Sequence, residues 1–200
     1  MNSSVLHLDF PDHLIMRMDY ALFSQVNIRD ELKKILDFDK SILFCNDAEA
    51  AVIGEANYGA GKDFGRVIGI TLGTGLGAAF IVNGVSVHDG QGIPSNAELF
   101  PFKFNGKRAD DLFSTRGLIE RFYKRGFSLI SVFQKFGEDL GLFLRPFVDD
   151  FGADVLLVLG GISGAIEYFH REVEDQLNIP VFPGRSQNAA LLGAADLLLT

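Results

Sequence analysis

The sequence predicts an α/β protein with a mixed sheet and flanking helices. Two observations carry that reading. Two apolar β-type runs, Val67 to Leu72 and Ala78 to Val82, are joined by the glycine-rich turn Gly73-Thr74-Gly75-Leu76-Gly77. Asn83-Gly84 then supplies another tight-turn signal before Val85 to Val87, which extends the hairpin to a three-stranded meander. From residue 129 onward helical and strand patterns alternate, and a meander followed by such alternation gives a mixed sheet. The 200 residues are 48% hydrophobic and 22% charged, enough apolar surface for a folded core.

The elements follow in chain order. Val5 to Phe10 reads as a strand, with Pro11 and Asp12 as a turn. Residues 28, 32, 35 and 36 are apolar among charges, the spacing of an exposed amphipathic helix over Ile28 to Leu36. Ser41 to Cys45 reads as a short buried strand entering Asn46-Asp47. Ala48 to Tyr58 is Ala-rich and short of charge, so a helix buried on most sides is expected. Gly54 within it would admit a close neighbour, and Gly59, Ala60 and Gly61 end it. After the meander, a Gly- and Pro-rich loop covers roughly residues 89–110.

Leu129, Phe133, Phe136, Leu140, Phe143, Phe147 and Phe151 recur at steps of three or four, which marks a long amphipathic helix bent near Pro146. Val155 to Leu159 is a buried strand ending in Gly160-Gly161. Ile166, Phe169, Val173 and Leu177 mark a further helix, Val181 and Phe182 a short strand, and Ala189 to Leu199 a closing helix. Most of the nineteen phenylalanines are expected in the core, whereas Leu99-Phe100-Pro101-Phe102 is a candidate exposed patch at a subunit contact.

Composition excludes several functional classes. The net charge is −8 and the pI about 4.9. Nucleic-acid binding draws on Lys and Arg against phosphates, so no nucleic-acid partner is expected. One cysteine, Cys45, makes no internal disulfide and supplies no cysteine zinc site. The N-terminus shows no signal-peptide pattern, and no run of about 18 apolar residues suggests a membrane span. A cytoplasmic globular protein is the expectation.

Three constellations could carry chemistry. Asn46-Asp47 stands between a strand and a helix N-terminus, where α/β proteins bind ligands. A helix cap explains the same two residues. In Gly73 to Gly77, backbone N–H groups can converge on an anion, and Thr74 adds a hydroxyl. This is no Walker sequence, and many hairpin turns carry glycine for backbone reasons only. Gly160-Gly161-Ile162-Ser163 would let a flat ligand approach the backbone, or simply turn a strand into a helix. The histidines His7, His13, His88 and His170 lack metal spacing and read as surface or turn residues.

The order of these motifs is more specific than any one of them. Asn46-Asp47-Ala48-Glu49-Ala50-Ala51, Gly69-Ile70-Thr71-Leu72-Gly73-Thr74-Gly75-Leu76-Gly77 and Val82-Asn83-Gly84 resemble the ROK family of sugar kinases and sugar-responsive repressors. Leu159-Gly160-Gly161-Ile162-Ser163 and Asn188-Ala189-Ala190-Leu191-Leu192-Gly193-Ala194-Ala195 look like the same family. The resemblance spans residues 27–200. It implies the larger C-terminal lobe of an actin-like (RNase H-type) fold, with residues 1–26 a remnant of the smaller lobe.

The resemblance also implies roles. Asp47 matches the catalytic base and Asn46 a sugar-hydroxyl ligand; Glu98 matches a sugar-binding glutamate, and Asp110 falls where a further one is usual. Gly73, Thr74, Gly75 and Gly77 match a phosphate loop, and Gly160 and Gly161 the adenosine motif. The implied reaction moves the γ-phosphoryl of ATP, with Mg²⁺, to a hydroxyl of a hexose or amino-hexose. The implied partners are sugar and nucleotide, and a homo-oligomer is expected.

Three departures qualify this. The family's N-terminal Asp and Gly-Gly-Thr phosphate turn has no counterpart, so the chain is expected to be incomplete and unable to finish catalysis alone. Leu99-Phe100-Pro101 stands where a histidine usually follows the glutamate, which implies an altered sugar pocket. The zinc-site cysteines are absent, so no structural zinc is expected. A non-catalytic sugar-sensing regulator and a degenerate oligomeric interaction domain are the alternatives.

Overall fold

The computed structural model describes residues 27–36, 42–125 and 128–198. Helix α1 (Ile28–Leu36) carries Asp30 and Glu31 in its first turn and Lys33 and Lys34 in its last, each matched to the helix dipole. Residues 42–46 lead into α2 (Asp47–Tyr58). The meander is β1 (Arg66–Leu72), β2 (Leu76–Val82) and β3 (Val85–Val87). A small ribbon follows, β4 (Lys103–Phe104) and β5 (Lys107–Arg108), then α3 (Ala109–Leu112) and α4 (Thr115–Arg125). The remainder is α5 (Leu129–Phe151), β6 (Val155–Leu159), a 3₁₀ segment over Gly161–Tyr168, α6 (His170–Leu177), β7 (Val181–Pro183) and α7 (Ala189–Asp196).

The five-stranded sheet has the order β3-β2-β1-β6-β7. Strand β2 runs antiparallel to both neighbours, while β1 pairs parallel with β6 and β6 with β7. The sheet is therefore mixed, as the sequence predicts. Both its faces are covered, which explains the unbroken apolar runs. Ile68, Ile70, Leu72, Phe80, Leu156 and Val158 point toward the core shared with α5 and α6. Val67, Ile81, Val155 and Leu157 point the other way, toward Val52 and Ile53 of α2. Gly69 is the exception that positions α2, because a Cβ there would strike the Val52 side chain.

Several expectations are corrected. Residues 42–46 form no strand; a strand needs a laddered neighbour, and none of the described strands supplies one. The loop over 89–110 contains the β4-β5 ribbon, turned by Asn105 (φ +48°) and Gly106 (φ +78°). The long helix expected over Leu129 to Phe151 is present as α5 with Pro146 inside it, although its first residue, Leu129, is exposed. The helix expected across Ile166 to Leu177 is broken at Phe169 (φ −145°). There the Phe169 ring is wholly buried against Phe133 and Phe136, and tertiary packing outweighs helical periodicity. The Leu99-to-Phe102 run is not one exposed patch: Leu99 is wholly buried and Phe102 packs edge-to-face on Phe147 at 5.0 Å. The strand expected at Val5 to Phe10, its turn, His7 and His13 lie outside the described residues.

Candidate functional site

One open cavity of about 650 Å³ lies at the ends of β1 and β6, between the N-terminus of α2 and the 95–110 segment. The sheet topology creates it. Parallel β1 and β6 end side by side, and the β1–β2 turn projects beyond them. Asn46, Asp47, Gly73, Thr74, Gly75, Gly77, Glu98, Asp110 and Gly160 all line this cavity. Gly161 does not; it opens the 3₁₀ segment on the outer surface.

Asn46 caps α2. Its Oδ1 accepts the N–H groups of Ala48 at 2.9 Å and Glu49 at 3.3 Å, so the capping explanation holds structurally. Asp47 is the first helical residue, exposed to the cavity, with Oδ1 accepting the Ala48 N–H at 2.9 Å. The half-buried Cys45 thiol beside them titrates above its ordinary range, through burial first and then the charges of Glu49 and Asp47.

The glycine turn is shaped by its surroundings. Gly73 N–H donates to the Gly75 carbonyl at 3.1 Å. Leu76 N–H donates to Asp110 Oδ1 at 2.9 Å, and both the N–H (2.7 Å) and Oγ1 (2.9 Å) of Thr115 donate to the Gly73 carbonyl. A Cβ on Gly77 would meet Ala48 and Thr71, so glycine there admits the start of α2. A Cβ on Gly73 would meet nothing within 4 Å, leaving that residue open to the cavity. Gly160 takes φ +86°, and a Cβ on it would lie 2.5 Å from the Leu72 carbonyl oxygen.

Three wall residues went unsingled in the sequence. Glu49 is buried, accepting the Ser86 hydroxyl at 2.6 Å and meeting His88 Nε2 at 3.0 Å. His88, whose side chain is 37% exposed, lines the open cavity. Arg108 also lines the cavity, its guanidinium 5.7 Å from the Phe100 ring centroid. Glu49, two positions after Asp47 in an Ala-rich helix, is the available signal. Its partners, 37 and 39 positions on, follow only from the meander's register.

Carboxylates dominate this wall: Asp47, Glu49, Glu98 and Asp110 face one arginine and one histidine. Such a surface suits a polyhydroxylated ligand, whose hydroxyls donate to carboxylate oxygens. Among the described residues no three His, Cys, Asp or Glu side chains lie together as a metal cluster. Oxygen donors arriving singly nevertheless fit Mg²⁺, which keeps several waters and takes one or two carboxylates with substrate phosphates.

Comparison with known proteins agrees with this architecture. The sequence model of the ROK family matches residues 11–108. Polyphosphate glucokinase of Mycobacterium tuberculosis (strain CDC 1551 / Oshkosh) is 30% identical over 171 residues, covering 84% of this chain and 58% of its own length. The chain thus spans little more than half of that relative. Among solved structures, the inorganic polyphosphate/ATP-glucomannokinase of Arthrobacter sp. strain KM is 28% identical with a TM-score of 0.67, covering 90% of this chain and 64% of that one. A ROK family transcriptional regulator, a homologue of the E. coli MLC protein, shares the fold at 17% identity and a TM-score of 0.75, covering 92% and 58%. The fold is the actin-like ATPase (RNase H-like) type. The motif order, the sheet and the cavity agree with these relatives, and over residues 11–108 the chain matches the ROK family.

Proposed function

We propose that the protein phosphorylates a hexose or amino-hexose hydroxyl from ATP, with residues 27–200 as the larger lobe of that kinase. The observation that carries this is the convergence of Asp47, the Gly73–Gly77 turn and Gly160 on one carboxylate-lined cavity. Phosphoryl transfer asks a protein mainly to position groups and stabilise spreading charge, and these residues divide that work. Asn46 and Glu98 would hold sugar hydroxyls. Asp47 would accept the proton of the attacking hydroxyl, a contribution of about 10²–10⁴-fold. Backbone N–H groups of the glycine turn would bind phosphate oxygens, and Gly160 would border the adenosine. Bound Mg²⁺ would neutralise phosphate charge, held by the phosphates, waters and Asp47.

The test is calorimetry on this chain and a coupled assay on the full-length kinase of which it is the larger lobe, each with Mg-ATP, inorganic polyphosphate and a hexose panel. Polyphosphate is included because two relatives carry it in their names. Hexose binding is expected, and Asp47→Asn should keep it while lowering phosphoryl transfer at least 10²-fold. Transfer at the wild-type rate in Asp47→Asn would overturn the base assignment. The regulator fold at TM-score 0.75 supports a second reading, a sugar sensor. Hexose binding with no transfer under any donor would favour it, and binding of neither ligand would refute both.

A further inference from the structure

We propose that Asp110 and Thr115 are positioning residues that lock the Gly73–Gly77 turn into a phosphate-receiving shape, so that Asp110 serves the phosphoryl donor and not the sugar. The proposal rests on the reading of that turn as the phosphate site. A glycine-rich turn is conformationally loose, and an anion cradle loses affinity for every rotation that must be frozen on binding. The turn's own backbone offers little restraint at its tip, a single Gly73 N–H to Gly75 carbonyl bond.

The outside ties come from one place. Asp110 Oδ1 accepts Leu76 N–H at 2.9 Å and so holds the C-terminal side of the turn. Thr115 holds the N-terminal side, with its N–H at 2.7 Å and its hydroxyl at 2.9 Å both on the Gly73 carbonyl. Both residues belong to the α3–α4 segment. That segment is anchored in the core by Ala109 and Phe113, which are wholly buried, and Phe113 stacks on Phe143 of α5 at 5.1 Å. The backbone of Asp110 is itself fixed, its N–H on the Phe100 carbonyl at 3.3 Å and that of Ala109 on the Phe102 carbonyl at 2.7 Å.

The glycine at position 75 answers to this tie. A Cβ there would lie 2.7 Å from Asp110 Oδ1, so the carboxylate and the turn can meet only if residue 75 has no side chain. Asp110 therefore spends an oxygen on the hairpin backbone. A carboxylate kept beside an anion site repels the anion, so its value there lies in its geometry as an acceptor and not in its charge. Asparagine can supply the same acceptor oxygen without the charge, which separates the two roles cleanly.

Three variants test this: Asp110→Ala, Asp110→Asn and Thr115→Val. Amide hydrogen exchange over residues 73–77 in the unliganded chain reports the lock, and calorimetry with Mg-ATP and with glucose reports each ligand separately. Asp110→Ala should speed exchange and weaken Mg-ATP about tenfold, the loss of one charge-assisted hydrogen bond, while leaving glucose affinity unchanged. Thr115→Val should do the same to a smaller extent, since its N–H remains and the side chain lies outside the cavity wall. Asp110→Asn should restore slow exchange and Mg-ATP affinity. The proposal is overturned if Asp110→Ala or Asp110→Asn loses glucose affinity, or if exchange is unchanged in Asp110→Ala. If exchange responds as expected but the wild type binds no Mg-ATP or tripolyphosphate, the phosphate reading of the turn is what fails, and the donor role falls with it.

Discussion

Glu55 shows how much one side chain can organise. It is wholly buried in α2, yet Oε1 accepts the N–H groups of Arg185 (2.8 Å) and Ser186 (2.5 Å), and Oε2 that of Ala60 (2.9 Å). A buried carboxyl is tolerated because three backbone donors satisfy it. Glu55→Ala would leave those donors unpaired and should cost about 3 kcal/mol in urea denaturation, with Glu55→Gln costing less because the Oε1 acceptor survives. Cys45 offers a pH readout at the same scale. Its folded pKa is raised by burial and then by Glu49 and Asp47, so the unfolded thiol ionises first. Below the unfolded pKa the thiol affects stability not at all; as pH rises past it, stability falls until the folded thiol ionises too. Iodoacetamide should therefore alkylate the native protein more slowly at neutral pH than the urea-unfolded chain, and the native rate should rise at higher pH. Equal rates in the two states would contradict the shift.

At the scale of elements, α2 is positioned by glycines as much as by apolar side chains. A Cβ on Gly54 would run into the Ala189 carbonyl, and one on Gly193 into the Ala50 carbonyl, so α2 and α7 touch backbone to backbone. Asp196 of α7 adds hydrogen bonds from Asn57 Nδ2 and Tyr58 Oη, both at 2.5 Å. Gly54→Ala should destabilise the fold by about 1–3 kcal/mol in chemical denaturation, because overpacking has no flexible side chain to displace. Ala at this place in an isolated helix would instead stabilise, so the sign of the effect tests the contact. Asp47 begins α2 one turn before Ala50, where α7 packs, and Gly77 lets the same helix close on the glycine turn.

For the whole molecule, the sheet carries α2 on one face and α5 with α6 on the other, and the cavity opens where β1 and β6 end. No helix among the described residues is long and apolar enough to cross a membrane. A ligand that binds only the folded form stabilises it by mass action, about 2.7 kcal/mol at 100 times its Kd. A hexose at that concentration should raise the Tm by about 5–10 °C for a chain of this size, and an absence of shift across the hexose panel would count against the sugar site. Much of this was legible in local sequence. The meander from Val67 to Val87, the strand Val155 to Leu159, the helix over Ile28 to Leu36 and the site positions Asp47, Gly73 to Gly77 and Gly160 all follow from spacing, turn chemistry and motif order. Those signals are short-range, so a sequence carries them directly. Other features depended on who meets whom. The break at Phe169, the missing strand before Asn46, the Glu49–Ser86–His88 contact and the tie from Asp110 to Leu76 are set by neighbours distant along the chain. Sequence determined which residues could do chemistry; the register of the sheet and the packing of α3 decided which of them share a cavity and which hold its walls, because contacts over long separations depend on the assembled core and not on local propensity.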